Sequence, residues 1–458
     1  MKLEMTGARR KRRVGKLAAL LAVLAVLAAT GAVAVYALTW PVPMQIPGSD
    51  SVRDWDAASI AEGSNKVYVA WAPGAVASGI RLAKLEGQVW TASSLASPLP
   101  DEFVWSPSLA YSETVLGAAW AQGQQSGSCD RAVTLVQQNP GSPASVIPGV
   151  AYGPATAPDL AVGSSGWHMV FAAATSSQDC RGSRVDLYYT NRSGPGQTWI
   201  TPTVVVTHSE VVSGPTTTQG GIWYPRIAAE PAGSEVYISW EQYQKTTGGA
   251  SDSQVWVITG SVQSGVQPTH PTWSAPAQLS PPDQTDAVRP AIAVDEAGTV
   301  RVVWASLVGS RTNPTEQHVY YRVLSSSVAT HLNTEAIRVT AYLPAVAGSA
   351  IAVRGDTICV TWHGYAASLG GSGREEITLR CSENGGGIWQ PETNVSTSSG
   401  LLSIFPTIGL AVDGLVNIAW VEYALLNDVW VPQGVYYRSG PSRSDDGRVF
   451  LPLVTRGR

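Results

Sequence analysis

Pro290-Ala291-Ile292-Ala293-Val294-Asp295-Glu296-Ala297-Gly298-Thr299-Val300-Arg301-Val302-Val303-Trp304 reads as two short strands around a tight turn. The flanking runs are β-branched, and Asp and Gly bracket the bend, where Gly takes positive φ without steric cost. Downstream, Val319-Tyr320-Tyr321-Arg322-Val323 and Ala336-Ile337-Arg338-Val339 add a third and a fourth strand. Outward from this stretch, the second-strand aromatic recurs as Trp71, Trp120, Phe171, Trp240, Trp304, Trp362 and Trp420. Most copies carry a Pro-x-Ile-Ala-Val-like strand in front and a Val-Tyr-Tyr-Arg-like strand behind.

The register is regular. Trp240 and Val255, Trp304 and Val319, Trp362 and Ile377, and Trp420 and Val435 are each fifteen residues apart. The corresponding pairs in the second and third copies are Trp120 with Val133 and Phe171 with Leu187, and the first copy is shorter, Trp71 with Ile80. Successive aromatics lie 49 to 69 residues apart, longer than the ~40–50 residues of common propeller repeats, which implies extended loops. No stretch after residue 40 sustains a 3.6-residue apolar period. The fold expected is all-β: a β-propeller of seven four-stranded blades packed around an axis. The last copy lacks an obvious fourth strand. Trp40–Ile46 resembles the fourth-strand segments Trp273–Leu279 and Trp389–Val395, so an N-terminal strand is expected to close the ring and cover both sheet edges. The competing donor is Val449–Val454, whose Pro452 suits an edge strand.

Arg9–Arg13 precedes an apolar run from Leu17 to Leu38, long enough as a helix to cross ~30 Å of hydrocarbon. The basic flank should stay cytoplasmic, which leaves the remainder outside the cell. A cleaved signal is the alternative, with Ala32-Val33-Ala34 or Val35-Tyr36-Ala37 as cleavage sites, giving a secreted protein. The expected division is a basic segment over 1–16, a transmembrane or signal helix over 17–38, the propeller over 39–440, and a tail or edge strand over 441–458. Beyond residue 39 the chain carries 23 of the 30 basic and 33 of the 34 acidic residues, a net charge of −10. A nucleic-acid surface wants the opposite sign.

Four cysteines in an exported chain suggest two disulfides. Cys129 and Cys180 each lie nine residues after their copy's aromatic, at equivalent places in neighbouring blades. Cys359 and Cys381 fall on the second and third strands of one blade, where a hairpin centred on Gly370-Gly371 sets them opposite each other. No CxxC or His pair accompanies them, so zinc is not expected, and no metal or cofactor is implied elsewhere. Asp50, Asp54 and Asp56 read as a solvated turn before the first blade rather than as a calcium site.

Ser382-Glu383-Asn384-Gly385-Gly386-Gly387-Ile388-Trp389 resembles the Asp-box (BNR repeat) of sialidase-like propellers, Ser-x-Asp-x-Gly-x-x-Trp, with Asn384 in the place of Asp. Gly196-Gln197-Thr198-Trp199 and Gly87-Gln88-Val89-Trp90 keep the Gly-x-x-Trp half. The chain thus resembles the sialidase superfamily over residues 40–440, although sialidases usually have six blades. That resemblance implies an arginine cluster for a substrate carboxylate, with a Tyr–Glu pair and an acidic residue beside it. Tyr224-Pro225-Arg226-Ile227 echoes the Arg-Ile-Pro sequence of the family poorly, because Pro precedes the Arg. Arg53 and Arg289 enter first strands at comparable places.

A second pattern ends three second strands with Trp-x-x-Tyr: Trp240 to Tyr243, Trp362 to Tyr365 and Trp420 to Tyr423, with Glu241 and Glu422 inside. Aromatic rings stack on apolar sugar faces and carboxylates accept hydroxyl hydrogen bonds, so these residues are candidates for carbohydrate binding. Packing against loops is the alternative role. No Gly-x-Ser-x-Gly, phosphate loop, HExxH or EF-hand loop is present. The expectation is a non-catalytic propeller, at the cell surface or secreted, that binds a glycan or an extracellular protein through its loop face. A sialidase-type glycoside hydrolase is the alternative.

Overall fold

The computed structural model describes residues 40–52, 58–63, 65–75, 78–95, 102–112, 114–123, 134–148, 157–181, 184–208, 217–246, 251–263, 269–281, 286–310, 313–324, 337–339, 346–365, 375–397 and 400–442. The apolar run 17–38 and the candidates Arg53, Asp54, Asp56 and Cys129 lie outside these residues. Among the described residues no helix is long and apolar enough to cross a membrane.

Seven separate antiparallel sheets follow one another along the chain, each built in the order inner, second, third and fourth strand. Blade 1 is Ser59–Gly63, Lys66–Trp71, Arg81–Glu86 and Val89–Ser94. Blade 2 is Phe103–Tyr111, Leu116–Gly123, Thr134–Gln138 and Ser145–Val146. Blade 3 is Asp159–Gly163, Gly166–Ala173, Asp186–Arg192 and Thr203–Val206, with a short helix Ser177–Arg181 in its central connection. Blade 4 is Thr217–Ala229, Glu235–Thr246, Ser251–Ser261 and Thr272–Trp273, extended by Ala277–Gln278. Blade 5 is Ala287–Val294, Val300–Ser310, Asn313–Leu324 and Ile337–Arg338. Blade 6 is Val346–Arg354, Thr357–Tyr365, Glu375–Ser382 and Thr393–Asn394. In blade 7 Leu402–Leu410, Leu415–Leu426 and Val429–Pro441 form the first three strands, and Met44–Gln45 pairs with the third.

The fifteen-residue spacing is a cross-strand register. Glu241 pairs with Val255, Ala305 with Val319, His363 with Ile377 and Val421 with Val435, so each aromatic sits one residue before a fixed rung. Blade 2 keeps the same register, with Trp120 opposite Val136 rather than offset toward residue 133. In blades 4, 5 and 7 the pairing of the second and third strands runs well past the aromatic, to Lys245 with Ser251, Ser310 with Asn313 and Leu426 with Val429.

The aromatics are buried because each sheet is sandwiched between two others. Trp120, Trp240, Trp304 and Trp420 have no exposed surface, and Trp71, Trp362 and Phe171 almost none. Each faces the preceding blade: Trp304 packs with Tyr237, Val257 and Leu279 of blade 4, and Trp362 with Val303 and Tyr321 of blade 5. Both faces of a second strand are therefore apolar, which is why Val-x-Val-Val-Trp runs replace simple alternation. Truncating one such Trp to Ala is worth about 3–5 kcal/mol.

Arginines of the third strands lace neighbouring blades together. Arg322 Nη1 donates to the Leu279 carbonyl at 2.6 Å. Arg380 and Arg438 reach Val339 and Val395, the residues equivalent to Leu279 in the next two blades. These carbonyl-bearing residues themselves bond back to their own third strand, as Leu279 N to Val255 O, Val339 N to Val319 O and Val395 N to Ile377 O. Ile46, buried completely, makes the same bond in blade 7, to Val435 O at 2.8 Å. Arg438 also donates to the carbonyls of Trp40 and Pro41 and lies over the Trp40 ring. The Tyr-Tyr-Arg motif is thus a blade-to-blade clamp.

Local chemistry fixes the turns. In blade 5 Asp295 Oδ1 accepts from Ala297 N and Thr299 N, its Oδ2 pairs with buried Arg301 at 2.6 Å, and Gly298 adopts φ 79°. At Ser382–Trp389, Asn384 Oδ1 accepts from Ile388 N at 2.7 Å and Ser382 Oγ accepts from Gly386 N at 3.0 Å. The Trp389 ring meets Tyr321 edge-on. Cys359 and Cys381 pair across adjacent strands and form a disulfide. Cys180 is disulfide-bonded as well.

Candidate functional site

All seven inner strands contribute to one axial cavity of ≈ 610 Å³. Its geometry comes from a repeated backbone device. In blades 2, 4, 5 and 7 the inner strand carries two residues opposite the single core Trp of the second strand. They are Ser106-Pro107, Tyr224-Pro225, Arg289-Pro290 and Phe405-Pro406, and the residue before each Pro has positive φ: 50°, 47°, 49° and 55°. Blade 6 carries its irregularity between Val346 and Ser349, with Gly348 at φ 83°. Pro suits the unpaired place because it has no N–H to satisfy. A left-handed non-glycine residue costs about 1–3 kcal/mol and persists where surroundings over-determine it. Bulges of this kind re-aim side chains beside active and binding sites.

The wall is polar and asymmetric. Blades 4 and 5 contribute Arg226, Arg289 and Tyr224, while blades 1 to 3 contribute Ser59, Ser106, Ser108 and Asp159. Ser349 and Thr407 follow from blades 6 and 7. The Arg289 guanidinium lies between two rings, 5.2 Å from the Tyr224 centroid and 5.5 Å from that of Phe405. Among the described residues, neither Arg226 nor Arg289 makes an ion pair.

Asp159 is the one carboxylate among the described lining residues, and both its oxygens are engaged. Oδ1 accepts from Ser108 Oγ at 2.9 Å, and Oδ2 from Ile227 N at 2.8 Å in the next blade. Ser59 Oγ likewise accepts from Leu109 N, and Ser108 Oγ from Leu160 N. Equivalent positions in three successive blades thus lace the inner strands side to side.

Behind the cationic half sit two buried polar residues. Glu241 accepts from Arg289 N at 3.2 Å and from Ser253 Oγ at 2.9 Å. His363 Nδ1 accepts from Phe405 N at 3.2 Å, which leaves the imidazole proton on Nε2, 3.7 Å from Glu375 Oε2. Burial, helped by the charge of Arg289, pushes the His363 pKa down to about 3, so the ring is neutral. Burial raises the pKa of Glu375, with Arg289 pulling it the other way.

The structure therefore brings together two of the three arginines named from sequence, Arg226 and Arg289. Glu241 lies behind them rather than in the wall. Tyr243 is half-buried at the strand end outside the cavity lining, and the side chain of Tyr365 lies outside the description. Tyr423 is completely buried with Ile46, Val69 and Trp71 between blades 7 and 1. Glu422, also buried, accepts from Ser403 Oγ at 3.0 Å and from Trp420 Nε1 at 2.6 Å. Tyr224, Phe405 and His363 carry no part in the sequence-level site. The signal for Tyr224 and Phe405 was the repeated X-Pro dipeptide at the inner strands, Ser-Pro, Ala-Pro, Tyr-Pro, Arg-Pro and Phe-Pro, and that for His363 was a polar residue directly after a core Trp.

No family model and no curated protein matches the chain. Among solved structures it is similar to the polysaccharide lyase Uly1, at 9% identity and a TM-score of 0.51, over 87% of this chain and 94% of that one. It is also similar to an α-L-arabinanase of Penicillium chrysogenum complexed with arabinobiose, at 14% identity and a TM-score of 0.45, over 75% and 94% of the two chains. The Hadza microbial sialidase Hz136 follows at 12% identity and a TM-score of 0.40, over 87% of this chain and 68% of that one. Identities this low speak to the fold alone. The architecture implied by the sialidase-like resemblance, a β-propeller, is the one the chain has, here with seven blades.

Proposed function

We propose that this propeller binds a carboxylate-bearing sugar in the axial cavity and does not hydrolyse it. One observation carries the reading: two guanidinium groups with no ion-pair partner among the described residues share a cavity whose opposite wall is lined with hydroxyls. Guanidinium groups match carboxylates bidentately. Hydroxyls suit the remainder of a sugar, and the volume falls within the range of small-ligand pockets. The carbohydrate-active names of the similar structures are compatible with this ligand class.

The test is calorimetric titration of the purified propeller with N-acetylneuraminate and D-glucuronate, against D-glucose as the neutral control. Saturable binding of an acidic sugar, absent with glucose and lost in Arg289→Ala, is expected. Equal binding of glucose, or none of any sugar, would remove the reading. A hydrolase is the second reading, favoured by Glu375, whose pKa is raised by burial as a proton donor's would be. Release of product from a fluorogenic sialoside, lost in Glu375→Gln, would establish it.

We further infer that the propeller is exported and held at the membrane by residues 17–38, from the basic flank and apolar length of that run. Protease protection of intact cells separates this from a secreted form.

A further inference from the structure

The residue after the core aromatic is Ala72, Ala121, Ala172, Ala305 and Val421 in five blades, all small or apolar. Blades 4 and 6 break the pattern with Glu241 and His363, both buried in the fold. A charged or titratable side chain in a buried strand needs a partner. Each finds the same one: the main-chain N–H of the left-handed bulge residue in the next blade, Arg289 for Glu241 and Phe405 for His363. One of those bulges carries the cationic group and the other supplies a ring against it, since the Arg289 guanidinium lies over the Phe405 ring. The His363 ring also packs edge-on to Phe405, and a side chain on Gly348 would meet both His363 and Arg289. The two exceptions to an apolar repeat thus converge on one feature of the cavity wall.

We propose that His363 and Glu241 are positioning residues of the axial site. By accepting the N–H of Phe405 and of Arg289 they hold two strained bulges, and so fix the guanidinium where it meets an anionic ligand. The inference rests on the binding reading above and adds residues that lie behind the wall and touch no ligand. Glu375 and Arg289 are the charged groups facing His363, and the imidazole works as the neutral Nδ1 acceptor. The acceptor is therefore the functional atom. Asn is the conservative replacement because its side-chain oxygen falls near the place of Nδ1, while Leu fills the volume with no acceptor.

The experiment compares wild type, His363→Asn, His363→Leu and Arg289→Ala. It reads the dissociation constants of N-acetylneuraminate and D-glucuronate by calorimetry, and folding by thermal denaturation. Loss of a cation–aromatic arrangement corresponds to about tenfold in affinity. His363→Leu is expected to weaken acidic-sugar binding by about that factor while remaining folded, with His363→Asn near wild type. A folded His363→Leu that binds like wild type would overturn the inference and leave the binding reading standing. Glu241→Gln, which keeps an acceptor, and Glu241→Leu repeat the comparison should His363→Leu fail to fold, and equal affinity in those two overturns it equally. A wild type that binds neither sugar overturns both together.

Discussion

Arg289 of blade 5 and Tyr224 of blade 4 occupy the same left-handed bulge position, and the guanidinium of one lies 5.2 Å from the ring centroid of the other. A local backbone irregularity, repeated around the axis, therefore presents a cation and an aromatic side by side. An extended strand in ordinary register would have turned alternate side chains into the inter-blade cores.

Tyr224 separates the strain from the contact. Its φ of 47° disfavours any residue with a Cβ, and the ring supplies a cation–π contact. Tyr224→Gly should unfold later than Tyr224→Ala by about 1 kcal/mol, because Gly adopts the bulge without strain. Both variants should lose affinity for an acidic sugar. Urea denaturation checks the first statement and calorimetry the second. Equal stability of the two variants would show that the bulge stores no strain.

Arg438 tests the clamp between blades 6 and 7 and the N-terminal segment. It is buried, donates to carbonyls of Val395, Trp40 and Pro41, and has no carboxylate partner among them. Arg438→Met keeps apolar volume but orphans those carbonyls, so it should destabilise by about 2–4 kcal/mol. Changes of Gln45 or Ser49, whose side chains bond the same strand at Gln433 O and Val435 O, should act in the same direction with smaller effect. Chemical denaturation measures both. A stability unchanged in Arg438→Met would contradict the role assigned to the third-strand arginines.

Acidity is the third probe. Glu62 accepts from Asn417 at 2.6 Å between blades 1 and 7, and burial raises its pKa to about 7 from an ordinary 4.5. The folded state then holds a proton that the unfolded state releases. This contribution is present below pH 4.5 and is lost as pH rises through about 7, by up to about 3 kcal/mol. His168 and His363 act with the opposite sign: burial drives both down to about 3, so their contribution is present above pH 6.5 and lost as pH falls toward 3. Glu62→Gln should cancel the first slope alone. Unfolding free energies at pH 5 and pH 8 are expected to converge between variant and wild type at the acid end and to favour the variant at pH 8. Parallel profiles would mean that Glu62 does not titrate in this window.

The seven blades were legible because packing and register are periodic in sequence. Trp240, Trp304, Trp362 and Trp420 each precede by one residue a rung to the residue fifteen on, so a ladder left its length in the chain. The cross-strand Cys359–Cys381 pair was legible for the same reason. Hairpin length was not: Asn313–Leu324 extends past the apolar run that marks its core, where the third strand becomes polar but stays paired. The site was half legible. Arg226 and Arg289 have different offsets from their blade aromatics, one after the bulge proline and one before it, and sequence alone sets them apart. The bulge brings both into one wall. Tyr423 shows the converse, since its repeat position matches Tyr243 while its neighbours bury it.

The central claim is that the paired arginines make the axial cavity a site for an anionic sugar. The direct measurement is the affinity of N-acetylneuraminate and D-glucuronate for wild type, Arg226→Ala, Arg289→Ala and the double variant, at two salt concentrations. The expected result is binding of at least one acidic sugar that weakens with salt, falls by about tenfold or more in each single variant, and disappears in the double. Acidic-sugar affinity that is unchanged in the double variant, with the fold intact, would contradict the account.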